Sequence, residues 1–301
     1  MVCVLACRSG IISAQTNQLN IYILGIAQDG GYPHIGCSKE CCTRAWQNSS
    51  LKKFVVSLAL VDSNNKKWWL FEATPDIKDQ LHLFQLLTHS RYNYLPDGIF
   101  ITHAHIGHYT GLMEFGKEAM NTDSLPVYVL PRLKTFLENN GPWSQLVRLN
   151  NIHLVPIQAD SAVYLSQGYT VTPIIVPHRD EFSETAGFEI NTPGKKYLFI
   201  PDINKWQQWN RDIVRMVQQF NVALLDATFY DSTELPGKRM ADVPHPFALE
   251  TTTLFNKQDV ATRNKIYFIH MNHTNPLIWR EKEKEKIKKA GYHIAQQGMH
   301  L

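Results

Sequence analysis

Four short apolar runs in this chain end on a histidine or an aspartate, and this repeated pattern limits the possible folds more than any other feature. GIFITH closes on His103, YTVTPIIVPH on His178, KYLFIPD on Asp202 and KIYFIH on His270. Runs of this length, rich in β-branched and aromatic residues, read as strands. A polar residue that ends such a run stands on the rim of a sheet, where side chains can converge on a cleft. The first run leads into HAHIGH, so His103, His105 and His108 fall within six residues. On a strand end turning into a helix all three imidazoles can meet, and clustered neutral imidazoles suit zinc, manganese or iron.

Further strand-like runs cover 19–27, 54–61, 68–73, 126–130, 152–157, 186–191 and 222–228. Helical patterns cover 76–89, 110–120, 131–139, 211–220, 246–255 and 278–290, with Thr74 as N-cap of the first and Pro75 in its first turn. The second half repeats the arrangement of the first. That predicts an α/β chain whose two mixed β-sheets pack face to face with helices outside, an αββα sandwich. No linker-like composition interrupts 19–301, which reads as one domain. Trp68 and Trp69 read as sheet core.

The 30 basic and 27 acidic residues leave a net charge of only +3, so no nucleic-acid partner is expected. The alternating charges of EKEKEKIKK (281–289) read as a solvated helix face. No apolar run reaches the ~18 residues of a membrane span. Residues 1–18 read as a leader or signal-like segment, although Arg8 interrupts its apolar run. Export to the periplasm or cell envelope is the favoured reading, with a leader on a cytoplasmic protein as the alternative. Cys3 and Cys7 lie in that leader. Cys37, Cys41 and Cys42 cluster in GCSKECC; adjacent cysteines rarely bridge and three is an odd count, so a metal site is favoured over disulfides. QDGGYPHIG lacks the lysine of a phosphate loop, and Gly30-Gly31 reads as a turn beside the cleft.

The ordered set His103-x-His105-x-Gly107-His108, then His178, Asp202 and His270, resembles the metallo-β-lactamase superfamily. The resemblance implies one metal position from His103, His105 and His178. It implies a second from His108 and His270, with Asp202 bridging. Gly107 departs from the pattern, because the superfamily carries an aspartate there. The departure predicts a weaker or absent second metal, or a water in place of the carboxylate. The superfamily's supporting aspartate after an earlier strand has Glu72 or Asp76 as its counterpart here. GIAQDGGYPHIGCSKECC, ATPDIKDQL, THAHIGHYTGL, PVYVLPRL, FIHMNHTNPL and AGYHIAQQGMHL are similar to blocks of the pyrroloquinoline quinone biosynthesis protein B family.

Related phosphodiesterases carry a structural zinc on three cysteines and a histidine three residues after the last cleft histidine. That resemblance implies a Cys3His site from Cys37, Cys41, Cys42 and His273, with Lys39 where the middle cysteine is usual. LLDATFYD and DVPHPFALETT resemble elements of tRNA-maturing members. They imply that His245 is a general acid and that Asp226 orients a neighbouring imidazole. Zinc is the expected cofactor, with iron or manganese possible in the cleft. The expected activity is attack of a metal-bound hydroxide on a small ester or phosphodiester, with Asp202, Asp226 and His245 in catalytic roles. The alternatives are a metal-dependent oxygenase in pyrroloquinoline quinone biosynthesis and a non-catalytic carrier using the same cleft. A small molecule is the expected partner.

Overall fold

The computed structural model describes residues 19–239 and 242–301. The leader read at 1–18, with Cys3 and Cys7, lies outside the described residues. Two mixed sheets form the frame. The first is six-stranded: β1 (Ile21–Gly25), β2 (Ser57–Asp62), β3 (Lys67–Phe71), β4 (Gly98–Phe100), β5 (Leu125–Val129) and β6 (Ile152–Pro156), in that order. The second is seven-stranded: β7 (Val163–Ser166), β8 (Tyr169–Ile175), β9 (Ala186–Asn191), β10 (Lys196–Ile200), β11 (Val222–Asp226), β12 (Ile266–Ile269) and β13 (His293–Ile294), in reverse order across the sheet. All eleven predicted strand regions are strands. β7 and β13 are additions.

The side-chain alternation of a strand sorts these residues between two cores. In β1, Ile21 and Ile23 pack with Val171, Phe188 and Phe199 of the second sheet, whereas Tyr22 and Leu24 face helix residues Ile77, Leu81 and Phe84. Phe71 and Phe100 of the first sheet stack at 5.1 Å and meet Phe188 of the second edge-on at 5.5 and 5.6 Å. Trp69 faces the inter-sheet core and Trp68 the helix side, both buried as predicted.

The helices are α1 (Glu40–Gln47), α2 (Ile77–Thr88), α3 (Ile106–Tyr109), α4 (Pro131–Asn139), α5 (Trp143–Arg148), α6 (Ile213–Gln219), α7 (Ala248–Leu254), α8 (Val260–Arg263), α9 (Pro276–Trp279) and α10 (Glu281–Lys289). Three expectations are corrected. The helix expected over 110–120 is instead α3 followed by a 3-10 turn at Thr110–Phe115, ended at Gly116. The helix expected over 278–290 breaks at extended Arg280 into α9 and α10. At the start of α2, Asp76 occupies the cap position, while the Thr74 hydroxyl accepts the Asp76 N–H at 3.1 Å. Among the described residues no helix is long and apolar enough to cross a membrane.

Candidate metal centre

Strand direction assembles the site. β3 and β4 are parallel, and β1 runs the same way because both it and β3 are antiparallel to β2. β10, β11 and β12 are parallel, and β8 shares their direction because both it and β10 are antiparallel to β9. Within each sheet these C-terminal ends therefore lie on one rim. Glu72 follows β3, His103 follows β4, His178 follows β8, Asp202 follows β10, Asp226 ends β11 and His270 follows β12. Glu72 and His270 turn into the left-handed region, with φ of 72° and 61°. That conformation costs a non-glycine residue about 1–3 kcal/mol and persists where surrounding structure enforces it.

Asp202 Oδ2 is the hub. It lies 3.4 Å from His103 Nε2, 3.2 Å from His178 Nε2, 3.7 Å from His108 Nε2 and 4.0 Å from His270 Nε2. His105 Nδ1 faces His178 Nε2 at 3.3 Å. One set of ligand-type atoms, from His103, His105, His178 and Asp202, falls within 4.8 Å of one another. A second comes from Asp29, His108 and His270, and a third from Asp202, Asp226, His245 and His270. Every cleft residue singled out from the sequence is thus brought together.

Buried polar atoms normally have partners, and each orphan costs about 1–3 kcal/mol. Here Asp29 Oδ1, Asp202 Oδ1 and the Nε2 atoms of His103, His108 and His270 are buried and make no hydrogen bond. Five orphans in one place fit a cation held by imidazole and carboxylate, a donor set suited to zinc, iron or manganese. Protonation follows the same logic. Burial, then the nearby His108, pushes His103 well below the usual histidine range, and burial lowers His105. Neutral imidazole is the ligand form. Despite burial, the His178, His245 and His270 imidazoles hold Asp202 well below the carboxylate range. The neighbouring His108 and His270 do the same for Asp29.

Buried groups behind the cleft set ring orientation. Glu72 Oε1 lies 3.2 Å from His108 Nδ1, which leaves Nε2 toward the hub, and Glu72 Oε2 accepts the Thr102 N–H at 3.2 Å. The Thr102 hydroxyl pairs with His103 Nδ1 at 2.9 Å. The Thr228 hydroxyl donates to Asp226 Oδ1 at 2.7 Å and lies 2.9 Å from His270 Nδ1. Of the two candidates for the supporting acid, Glu72 stands in the site. Asp76 instead accepts the Val55 N–H at 2.8 Å. Such orienting partners are worth about 10- to 100-fold in metal affinity. Glu72→Gln should accordingly weaken cleft metal binding by about that factor, read by competition with a chromophoric chelator.

The residue that sequence reasoning missed is Asp29. It lies two positions beyond the apolar run 19–27, in the predicted Gly30-Gly31 turn. The rule that singled out His103 and Asp202, a ligand-type residue just after a strand, would have found it too.

The cysteines form a separate centre. Cys37, Cys41 and Cys42 are free, with Sγ–Sγ distances of 3.9 Å for Cys37–Cys41 and for Cys41–Cys42. A disulfide needs about 2.05 Å. A tetrahedron with Zn–S bonds of about 2.3 Å has S–S edges of about 3.8 Å. His273 completes the group within 4.8 Å, its Nδ1 is buried without a hydrogen bond, and burial with nearby His34 lowers its pKa to about 4. It is therefore neutral at pH 7. The backbone N–H of His34 also points at Cys42 Sγ, at 3.4 Å. The sequence reading missed α1, which carries Cys41 and Cys42 on its first turn.

Residues 67–276 match the family described as the beta-lactamase superfamily domain. The coenzyme PQQ synthesis protein B of Rhizobium meliloti (strain 1021) is 24% identical, covering 95% of this chain and 99% of that protein. That of Gluconobacter oxydans (strain 621H) is 24% identical, over 93% and 97%. The structure of Zn(2+)-bound PqqB from Methylobacterium extorquens superposes with a TM-score of 0.74 at 20% identity, covering 94% of this chain and 99% of that one. A diphosphatase from the PhnP family gives 0.66 at 18%, over 94% and 96%. At these identities the structural likeness establishes the fold.

Proposed function

The chain belongs to the metallo-β-lactamase superfamily, and from that premise we propose that it is a metal-dependent hydrolase of a small ester or phosphodiester. The observation that carries this reading is the orphaned cluster around Asp202, with a charged acid–imidazole pair beside it. His103, His105, His178 and Asp202 would hold the cleft metal, zinc being the first choice. When bound, such a metal lowers the pKa of a coordinated water to about 7 and offsets charge developing on the substrate oxygen.

The protein's own groups handle the proton. His245 Nδ1 lies 2.9 Å from Asp226 Oδ2 and 3.1 Å from Asp202 Oδ1. Burial lowers its pKa, but the Asp226 and Asp202 charges outweigh burial and push it up to about 10. A proton on this ring, which the Asp226 carboxylate favours, is what a general acid for a leaving oxygen must supply. Asp226 accepts the Ile203 N–H at 3.1 Å and the Thr228 N–H at 2.8 Å, which fixes the carboxylate that orients His245.

His245→Ala should lower kcat for an alkyl phosphodiester by about 10^2–10^4-fold with metal content unchanged. A p-nitrophenyl ester, whose leaving group needs no proton, should lose far less. Equal losses on both substrates would remove the general-acid role. Absence of turnover of any ester or phosphodiester by metal-replete protein would overturn the hydrolase reading itself.

A second reading draws on the relatives named coenzyme PQQ synthesis protein B, which match almost the whole chain. It makes the cleft an iron site for oxygenation, or a carrier site, in pyrroloquinoline quinone synthesis; two histidines with one carboxylate suit iron. Oxygen uptake by anaerobically iron-loaded protein separates it from hydrolysis.

A further inference from the structure

We propose that Asp29 supplies the carboxylate missing at position 107, so that Asp29, His108, His270 and Asp202 form a second metal position beside that of His103, His105 and His178. The inference rests on the hydrolase reading and deepens it from one metal to two.

Space is the first argument. A Cβ built on Gly107 would lie 2.6 Å from Asp29 Cα and 2.9 Å from its Cγ. Real Cβ atoms do not approach other atoms so closely, so any side chain at 107 and the present position of Asp29 exclude each other. Glycine in the HAHIGH stretch is therefore what admits the loop. The volume that an aspartate at 107 would enter already holds a carboxylate from elsewhere in the chain.

Anchoring is the second. Ala27 forms parallel bridges with both Val55 and Met271. The Gln28 N–H donates to the Met271 carbonyl at 2.9 Å, and Met271 directly follows His270. The backbone that delivers His270 thus also fixes the residue before Asp29. On the other side, Gly31 donates its N–H to the Gln28 carbonyl at 2.8 Å and adopts φ 67°. Glycine takes that value without strain. Tyr32 and Lys53 then exchange backbone hydrogen bonds of 3.0 and 2.8 Å. Asp29 is therefore held on a clamped turn.

The third argument is chemical. Asp29 Oδ1 lies 3.2 Å from His108 Nε2 and 3.8 Å from His270 Nε2. All three atoms are buried and make no hydrogen bond. Asp202 Oδ2 lies 3.7 Å from His108 Nε2 and 4.0 Å from His270 Nε2, which brings a second carboxylate within reach of both imidazoles. A pair of metals sharing Asp202 would clamp both the attacking and the leaving oxygens of a displacement at a phosphorus or carbonyl centre.

The test is metal content by elemental analysis of zinc-replete, dialysed protein, together with visible absorption of the cobalt-substituted form. It compares wild type, Asp29→Asn, Cys42→Ser and His105→Ala. Asp29→Asn keeps the shape and removes the charge. It should bind one metal fewer than wild type and lose the corresponding part of the cobalt spectrum. If Asp29→Asn keeps the full complement and spectrum, Asp29 is only an ion-pair partner of His108 and the proposal is overturned. A wild type with one cleft metal, lost in His105→Ala and kept in Asp29→Asn, overturns the second position while leaving the hydrolase reading intact. A wild type whose only metal is the one lost in Cys42→Ser has no cleft metal, and the hydrolase reading fails with it.

Discussion

Asp202→Ala should empty the cleft of metal and lower kcat/KM by on the order of 10^3-fold. Asp202 Oδ2 lies 3.2–4.0 Å from the Nε2 atoms of His103, His108, His178 and His270. Among the described residues no other carboxylate oxygen faces both groups of imidazoles. Charge stabilisation by a catalytic metal contributes several kcal/mol, and each 1.36 kcal/mol is tenfold, so a loss of about 4 kcal/mol gives the stated factor. The same substitution removes the negative charge among five imidazoles, since His245 Nδ1 also lies 3.1 Å from Asp202 Oδ1. Elemental analysis and initial rates read the two effects. Retention of both metal and rate would mean that Asp202 is not the shared ligand.

The second large effect concerns the cysteine centre. Cys42→Ser, which removes a ligand of this group alone, should lower the melting temperature by about 8 °C. A ligand at ~1,000 times its Kd stabilises by about 4 kcal/mol, and a chain of this size shifts by roughly 2 °C per kcal/mol. The group joins two distant segments, Cys37 with the first turn of α1 and the stretch at His273. Its pH dependence has a defined sign. Burial pushes the Cys41 thiol up and the Cys42 thiol up to about 12, so zinc must displace protons to bind them. Affinity should rise with pH, and a chelator should strip the site more readily at pH 6 than at pH 8. Calorimetric melting with and without chelator at the two pH values checks both statements. An unchanged melting temperature after verified zinc loss would make the centre dispensable for stability.

Much of this architecture was legible locally. IYILG, KYLFI and VALLD carry enough β-branched and aromatic residues to read as strands. β13 escaped because two residues carry no period, and β7 because its four residues are mostly half-exposed. α1 escaped because its eight residues bury only Cys41, Cys42 and Ala45, too few to show a helical period in ECCTRAWQ. The 110–120 pattern overran because the stretch winds as a short 3-10 turn and leaves it at Gly116, whose backbone is extended, and local periodicity records neither.

The sequence by itself determined which residues can reach the cleft. A ligand-type side chain after an apolar run is carried to a sheet rim by strand geometry alone, and HAHIGH, TPIIVPH, YLFIPD and KIYFIH each state that locally. Tertiary structure alone decided how those residues are completed. It chose Glu72 over Asp76, because only Glu72 turns through φ 72° toward His108. It also placed Asp29 beside Gly107. Neither neighbourhood in sequence mentions the other, and their meeting depends on the loop after β1 pairing with Met271 of the other half. Steric exclusion between a side chain at 107 and Asp29 acts through space, and no local periodicity records it.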